Sequence, residues 1–356
     1  MNNRVTLKQI AELAGVSIGT VDRALNGRGR ISTDTKQRIL KIAKQLDYRP
    51  NMLASSLSKK RKLHIGIIMS CKPEEFCNHL IHGVKDALDE ISTYGVNTEF
   101  IFTDTLSYKD QMKAVSMLDT DKFDAFLVNA GSRSVGDWID GIVKDGKSVV
   151  TFNTDVEECN RLCYVGENPY SAGLLVGNMI NEILPKAKKI VLFMGFKDNY
   201  SHSERCRGVK DAVRSANPNV KFLELEYQDV ADSARQKMEQ VLKDEPDIQA
   251  VFAASATGVW GIGQVVSEMQ KDSRPKVFGY DVNHKVAELM DLNICQATAF
   301  QDPYWQGYYS MKILSEHLLS KQPITRDKYI IRTKLVLKNN VKDYLLDRHQ
   351  YDGFLL

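Results

Sequence analysis

Residues 5–58 read VTLKQIAELAGVSIGTVDRALNGRGRISTDTKQRILKIAKQLDYRPNMLASSLS. Thr6 followed by Gln9 is a capping box, which starts a helix near Leu7. Leu7, Ile10, Ala11 and Ala14 share one face at helical spacing. That helix stops at Gly15, a residue suited to the left-handed backbone of a tight turn. Ser17 caps a second helix to about Leu25, with Val21, Ala24 and Leu25 facing inward. A third helix is expected from Ser32 to about Leu46, with Ile39, Ile42, Ala43 and Leu46 closing a small core. Two short helices joined by a Gly-containing turn are a helix-turn-helix.

In such a unit the second helix is laid in the major groove of DNA, its N-terminal residues against base edges. Here those are Ile18, Gly19 and Asp22, with Arg23 beside them. Ile18 suits a thymine methyl, and Arg23 suits guanine or a phosphate. Asp22 has two readings: it accepts from a cytosine amino group, or it stabilises the first turn of its helix. Residues 50–58, PNMLASSLS, are too short for a stable helix alone and would fold only on DNA or on a partner copy. Leu57 is then either a wedge inserted into the minor groove or an ordinary linker leucine.

The whole stretch resembles the LacI/GalR family of bacterial transcription regulators. The resemblance rests on Thr6, Leu7 and Lys8; Ile10 and Ala11; Ala14 to Ser17; Thr20, Val21 and Arg23; Leu25 and Asn26; Tyr48 to Asn51; Ala54; and Leu57. It implies a homodimer, or a tetramer built on it, bound to a pseudo-palindromic double-stranded DNA operator. Paired hinge helices would place Leu57 at the operator's centre. The DNA-binding set it implies is Thr6, Ser17, Ile18, Gly19, Thr20, Asp22, Arg23, Asn26, Arg28, Arg30, Asn51, Ala54 and Leu57. Asp22 stands where relatives often carry serine. The loop Asn26 to Arg30 also departs from the pattern.

Charge agrees with this. Net charge is only +3, but residues 1–62 carry 14 Lys/Arg against 4 Asp/Glu, and the rest carry 34 against 41. A basic head on a mildly acidic body is the footprint of a nucleic-acid binder. The N-terminus MNNRVTLKQ has no apolar signal core, and no run is apolar and long enough to span a bilayer. The expected location is therefore the cytoplasm, on the nucleoid, with no membrane partner. The six cysteines, Cys71, Cys77, Cys159, Cys163, Cys206 and Cys295, form no CxxC pair. They read as reduced thiols, mostly of the core, with no metal site.

From Leu63 onward, short apolar strands alternate with amphipathic helices. Strands are expected at 64–69, 96–103, 125–129 and 148–153, with helices at 76–92, 108–119 and 134–145. The rhythm restarts with helices at 169–184, 203–216, 232–243, 258–271 and 284–290, and strands at 189–194, 221–226, 250–254 and 276–281. This predicts an all-α helix-turn-helix headpiece with a hinge helix, followed by an α/β effector domain of two doubly wound parallel-sheet lobes. Ligands of such sheets bind at the carboxyl ends of strands, and small-molecule sites favour domain interfaces.

The strand ends hold Glu74, Glu75 and Phe76; Asn153 and Asp155; Arg205; Ser255 and Thr257; Asp281 and Asn283; and Gln301 and Asp302. Carboxylates and amides can each bridge pairs of hydroxyls, and Phe76, Tyr304 and Trp305 lie close in sequence. For any one residue a loop or capping role is the simpler reading. As a set at equivalent positions they suit a polyhydroxylated ligand. The expected ligand-binding residues are Glu74, Glu75, Phe76, Asn153, Asp155, Arg205, Ser255, Asp281 and Gln301. YVGENPYSAG at 164–173, ERCRGVKDA at 204–212, VFGYDVN at 277–283, AFQDPYWQG at 299–307 and KLVLKNN at 334–340 extend the resemblance to the family's effector domain. That domain is similar to type I periplasmic binding proteins, and the resemblance places Asn153, Arg205, Asp281 and Gln301 in the pocket. NTD at 153–155 looks like hexose-binding periplasmic relatives, whereas Ser255 and Ala256 stand where relatives often show Asn and Asp.

The resemblance also implies chain crossings between lobes near residues 165, 296 and 325. The domains would be a headpiece at 1–49, hinge and linker at 50–62, an effector domain at 63–345 and a tail at 346–356. The N-lobe would take 63–165 and 296–325, and the C-lobe 166–295 and 326–345. The function expected is a DNA-binding repressor controlled by a small ligand, a sugar or sugar derivative, with no cofactor and no catalytic residue. The competing class is a sugar-active or nucleotide-binding α/β enzyme. GxGxxG after a strand, GxxxxGK[ST], GxSxG and HExxH are all missing. A transport binding protein would need a signal peptide where the headpiece stands.

Overall fold

Each headpiece helix begins where a side chain takes up amides that the first turn cannot pair. The computed structural model describes residues 5–25, 29, 31–46, 62–70, 75–91, 95–103, 105, 107–321 and 323–345. Residues 50–58, the loop residues Asn26, Arg28 and Arg30, Glu74 and the tail 346–356 lie outside them. So do the roles expected of Asn51, Ala54 and Leu57. Helix α1 (Leu7–Ala14) has the expected capping box: Gln9 N–H donates to Thr6 Oγ1 at 3.3 Å, and Thr6 N–H donates to Gln9 Oε1 at 2.8 Å. Gly15 ends it at φ +62°, in the left-handed region that glycine enters without strain. Helix α2 (Ile18–Leu25) starts after Ser17, whose hydroxyl accepts from Thr20 N–H at 3.2 Å. Helix α3 (Thr33–Gln45) is capped by Ser32. Ile10, Ala14, Val21, Ala24, Ile39 and Ala43 are buried together as the headpiece core.

The body is a second compact unit. In chain order its first half holds β1 (Leu63–Met69), α4 (Glu75–Glu90), β2 (Val96–Phe102), α5 (Tyr108–Ser116), β3 (Ala125–Val128), α6 (Arg133–Lys144), β4 (Ser148–Phe152) and β5 (Cys163–Gly166). Then follow α7 (Pro169–Ile183), β6 (Lys189–Met194), α8 (Tyr200–Ala216), β7 (Lys221–Glu226), α9 (Ala231–Asp244), β8 (Ala250–Ala253), α10 (Ala256–Glu268), β9 (Lys276–Tyr280), α11 (His284–Asp291) and β10 (Cys295–Phe300). Helix α12 (Pro303–Ser320) and strands β11 (Lys328–Ile330) and β12 (Lys334–Val336) close the order.

The strands form two six-stranded sheets, ordered β11-β5-β4-β3-β1-β2 and β12-β10-β9-β8-β6-β7. Among the described residues all strand pairings are parallel except that of β10 with β12. Strands β3, β5 and β8 are buried along their whole length, as expected for parallel sheets covered on both faces. Order reverses at β1 and β3 in one sheet and at β6 and β8 in the other, which opens a crevice at the carboxyl ends.

The crossings fall partly elsewhere than expected. The first lies at 167–168, between β5 and α7. The second follows Phe300 instead of preceding it, because β10 pairs with β9 and not with a strand of the first lobe. Its small side chains Ala297, Thr298 and Ala299 are buried there. The third lies at 331–333, between β11 of one sheet and β12 of the other.

Two helix crossings are close enough to demand glycine. A Cβ on Gly173 of α7 would sit 2.1 Å from Arg205 O, and one on Gly208 of α8 would sit 2.2 Å from Tyr170 O. Gly83 of α4 and Gly307 of α12 face each other's helices in the same way.

Among the cysteines, Cys159, Cys163, Cys206 and Cys295 are free, and burial pushes the last three thiols up to about 12. Cys77 corrects the expectation of six free thiols. It is disulfide-bonded, to a partner outside the described residues. Sequence spacing does not forbid this, since a disulfide needs only Cα atoms within about 7 Å. No helix among the described residues is long and apolar enough to cross a membrane.

Candidate functional site

The headpiece presents the first turn of α2 outward. Ser17, Ile18 and Gly19 are exposed, and Ile18 is 49 % exposed although it is apolar. The three-helix core makes no claim on it, so it is available to a partner's methyl group. Thr20 is half-buried, with its hydroxyl 2.9 Å from that of Ser17. Arg23 lies back along the helix, donating from Nε to Gly19 O at 3.1 Å and from Nη2 to Thr20 Oγ1 at 3.3 Å. Thr6 serves as the cap of α1. Asp22 is half-buried and lies beyond the first turn of α2, which contains no acidic residue. The reading of Asp22 as a first-turn stabiliser is therefore withdrawn.

In the body, the loops at the carboxyl ends of both sheets enclose a cleft of about 560 Å³. Phe76, Thr105, Asn129, Asn153 and Thr154 come from the first lobe. His202, Arg205, Asp229, Ser255, Trp260 and Asp281 are among those from the second, with Gln301 at a crossing. Four lining residues hold left-handed backbone without being glycine: Asn153 (φ 62°), Gln228 (58°), Asp229 (53°) and Asp281 (65°). Each such residue costs on the order of 1–2 kcal/mol. Strain of this kind gathers where side chains are aimed for use.

The polar groups form one connected chain. Asn129 Nδ2 donates to Asn153 Oδ1 at 2.9 Å, Asn153 Nδ2 to Gln301 Oε1 at 3.0 Å, and Gln301 Nε2 to Asp281 Oδ1 at 2.9 Å. Arg205 donates from Nε (3.0 Å) and Nη2 (2.6 Å) to Glu167 Oε1 and from Nη1 to Ala254 O at 3.0 Å. Its guanidinium lies 3.6 Å over the Tyr280 ring. Burial opposes its charge, but Glu167 beside it outweighs burial and holds its pKa above the ordinary value. Glu167 lies at the first crossing, and its other oxygen accepts from the Tyr280 hydroxyl and from Thr333 Oγ1, at 3.1 Å, on the third crossing. Ser255 Oγ donates to Asp229 Oδ1 at 2.6 Å and lies 2.5 Å from the Tyr227 hydroxyl.

Two buried titrations oppose each other here. Burial pushes Asp281 up to about 7, against the pull of Arg205 and Gln301 and with help from Glu167 and Asp229. Its contribution to stability is complete below the unfolded value near 3.8 and is lost as pH rises through about 7. Burial pushes His202 down to about 3, with Arg205 adding to the effect. Its contribution is complete above the unfolded value near 6.5 and is lost as pH falls through about 3. Each window spans about 4–5 kcal/mol at 1.4 kcal/mol per pKa unit, so the wild type shows little net slope from this pair where the windows overlap. Asp281→Asn separates them. Its melting temperature relative to wild type should rise between pH 4.5 and pH 7.5. A constant difference would mean that Asp281 is ionised throughout.

Of the expected ligand residues, Phe76, Asn153, Arg205, Ser255, Asp281 and Gln301 line the cleft. Glu74 lies outside the described residues. Glu75 is not among the lining residues; it is exposed, with Oε1 3.2 Å from His284 Nδ1 of the other lobe. Asp155 is removed from the set. It is buried, paired with Arg161 through two contacts of 2.6 Å, and accepts from Thr151 Oγ1 at 2.6 Å. A buried guanidinium requires that counter-charge. Asn129, Ser201, His202 and Asp229 were missed. Helix α8 begins at Tyr200, three residues before its expected start, because Asn199 caps it by accepting from His202 N–H at 3.1 Å. The Asn-x-x-His spacing was the available signal.

Residues 6–51 match the family described as bacterial regulatory proteins, lacI family, and residues 65–322 match the periplasmic binding protein domain. The chain is 23 % identical to the ribose operon repressor of Halalkalibacterium halodurans, over 95 % of this chain and 97 % of that protein. It is 21 % identical to catabolite control protein A of Priestia megaterium, over 88 % and 92 %. The solved structure of GanP, a glucose-galactose binding protein from Geobacillus stearothermophilus, superposes with a TM-score of 0.73 at 22 % identity, covering 79 % of this chain and 99 % of that one. With a helix-turn-helix headpiece and a two-lobed ligand-binding fold in one polypeptide, the chain belongs to the lacI family of bacterial regulatory proteins and is a DNA-binding transcriptional regulator.

Proposed function

We propose that the protein is a homodimeric repressor, working in the cytoplasm and without catalytic activity, whose affinity for a pseudo-palindromic operator is set by a small polyhydroxylated ligand in the cleft. The observation that carries the ligand half is the unbroken chain from Asn129 through Asn153 and Gln301 to Asp281, with Arg205 beside it at the carboxyl ends of both sheets. Amides and carboxylates in series match the alternating donors and acceptors of vicinal hydroxyls. A relative named as a ribose operon repressor supports the same class of effector. Control then requires that the ligand bind two lobe arrangements unequally, with coupling equal to that difference.

The direct test is fluorescence anisotropy of labelled upstream DNA at fixed salt, since phosphate contacts make affinity strongly salt-dependent. The titration is repeated with a panel of sugars and polyols. A shift of operator affinity by one compound is expected. Turnover of any of them by the purified protein would move the protein to the enzyme class.

The headpiece carries its own prediction. Ile18→Ala should weaken specific binding by roughly 1–3 kcal/mol, the worth of one good base contact, and leave non-specific binding unchanged. Equal losses on both DNAs would remove Ile18 from base reading. Asp22→Ser should alter the preferred half-site in a randomised-site selection. An unchanged preference would leave Asp22 without a reading role.

A further inference from the structure

Many polar groups that line the cleft are already committed to one another. Asn129, Asn153, Gln301 and Asp281 form the chain described above, and Glu167 holds Arg205. The side-chain oxygens of Asn199, Ser255 and Asn283 each cap a helix. His202 differs. It is 4 % exposed and lines the cleft. Its main chain is fixed in the first turn of α8, where its N–H donates to Asn199 Oδ1. Its ring is held from one side. Nδ1 accepts from Phe196 N–H at 3.4 Å. A Cβ on Gly195 would meet Cε1 at 2.7 Å and Nδ1 at 2.8 Å, so that edge of the ring lies against the turn after β6.

A neutral imidazole that accepts at one nitrogen carries its proton on the other. Burial and Arg205 keep this ring neutral, so Nε2 is an N–H donor. No group among the described residues accepts from it. Nor is it sealed in protein. Among the described residues, the fully buried side-chain N or O atom without a partner is Ser132 Oγ, not His202 Nε2. The ring therefore presents a single, rigidly held donor to the cleft.

Resting on the ligand site proposed above, we infer that His202 is a ligand-contacting residue whose Nε2–H donates to one hydroxyl oxygen of the polyhydroxylated ligand. Because its direction is fixed, it selects an oxygen at one position of the ligand. An analogue lacking that oxygen leaves the donor unpaired, which is how a site built for a hydroxyl rejects its deoxy counterpart.

Asparagine and glutamine divide the two functions of the ring. Asparagine places an acceptor near the position of Nδ1, and glutamine places an amide donor near that of Nε2. His202→Asn thus keeps the acceptor for Phe196 N–H and removes the donor to the cleft, while His202→Gln does the reverse. The test uses the full chain, with calorimetry against glucose, galactose, ribose, arabinose and myo-inositol and with ligand-free melting curves. At least one probe should bind the wild type. Its affinity should fall roughly tenfold in His202→Asn, which melts with the wild type, and stay within about threefold in His202→Gln, which melts lower. The opposite pattern belongs to a histidine that only holds the turn and overturns the inference, as do equal affinities for all three proteins. Nitrogen-15 spectra of histidine-labelled protein give a second readout, with the His202 signals assigned by their loss in the variants. Nε2 should carry the proton, and its signal should move when the sugar binds. A proton on Nδ1, or an Nε2 signal that bound sugar leaves unmoved, overturns the inference whatever the affinities. A probe that binds without involving His202 leaves the polyhydroxylated-ligand reading standing. If no probe binds the wild type, that reading falls and this inference with it.

Discussion

Arg205→Ala is expected to lower the unfolding free energy of the body by about 3–5 kcal/mol, the cost of removing one member of a buried ion pair. The carboxylate left behind, Glu167, is fully buried, and its remaining partners, the hydroxyls of Tyr280 and Thr333, carry no positive charge. At roughly 2–4 °C per kcal/mol for a domain of this size, the melting temperature should fall by about 10 °C. Arg205 therefore holds the body together as well as lining the cleft, and the single variant cannot separate a role in stability from the proposed role in binding. The double variant Arg205→Met with Glu167→Gln can. Removing both charges should return much of the stability while leaving the ligand response abolished. A melting temperature for Arg205→Ala within 1–2 °C of wild type, less than about 1 kcal/mol on that scale, would mean that water reaches Glu167.

Gly173→Val is expected to cost about 3 kcal/mol, the upper end of overpacking in a tight core. Its Cβ would meet a main-chain carbonyl at 2.1 Å, and a carbonyl cannot swing aside as a side-chain tip can. The two helices must separate. Because the carbonyl belongs to Arg205, the guanidinium shifts with them, so ligand affinity should fall together with stability. Gly141→Ala is the control: a Cβ there meets nothing within 4 Å, so it should be neutral or gain up to about 1 kcal/mol from helix propensity. Circular-dichroism melts of both variants decide this. Equal behaviour would show that α7 and α8 can move apart freely.

The parts of the chain that were legible before the structure are those governed by local chemistry. Thr6, Ser17 and Ser32 mark helix starts because a short oxygen-bearing side chain can reach a first-turn amide, and the three described headpiece helices begin beside them. The apolar runs of β1, β3, β4, β6 and β8 announce strands buried on both faces. What was not legible depends on partners distant in sequence. Asp155 looked like Asp281, each at a strand end, yet Arg161 claims one and the other faces the cleft. Asp229 drew no reading in the sequence, because only the fold brings Ser255, 26 residues on, to 2.6 Å from it. Strand β10 could be assigned to a lobe only by knowing which neighbour it pairs with.

The crossings have a mechanical consequence. Glu167 and Thr333 share a hydrogen bond and Ile331 N–H donates to Gly166 O, so the first and third connections lie side by side, while Gln301 of the second ties to Asn153 at the end of β4. Two stiff bodies joined by adjacent short connections bend most easily about those connections. Displacement grows with distance from them, and Arg205, Asp281 and Gln301 sit near them, where the lever arm is short. A shift of these groups by a fraction of an ångström would therefore change the angle between the lobes, and the ends farthest from Glu167 would travel the most.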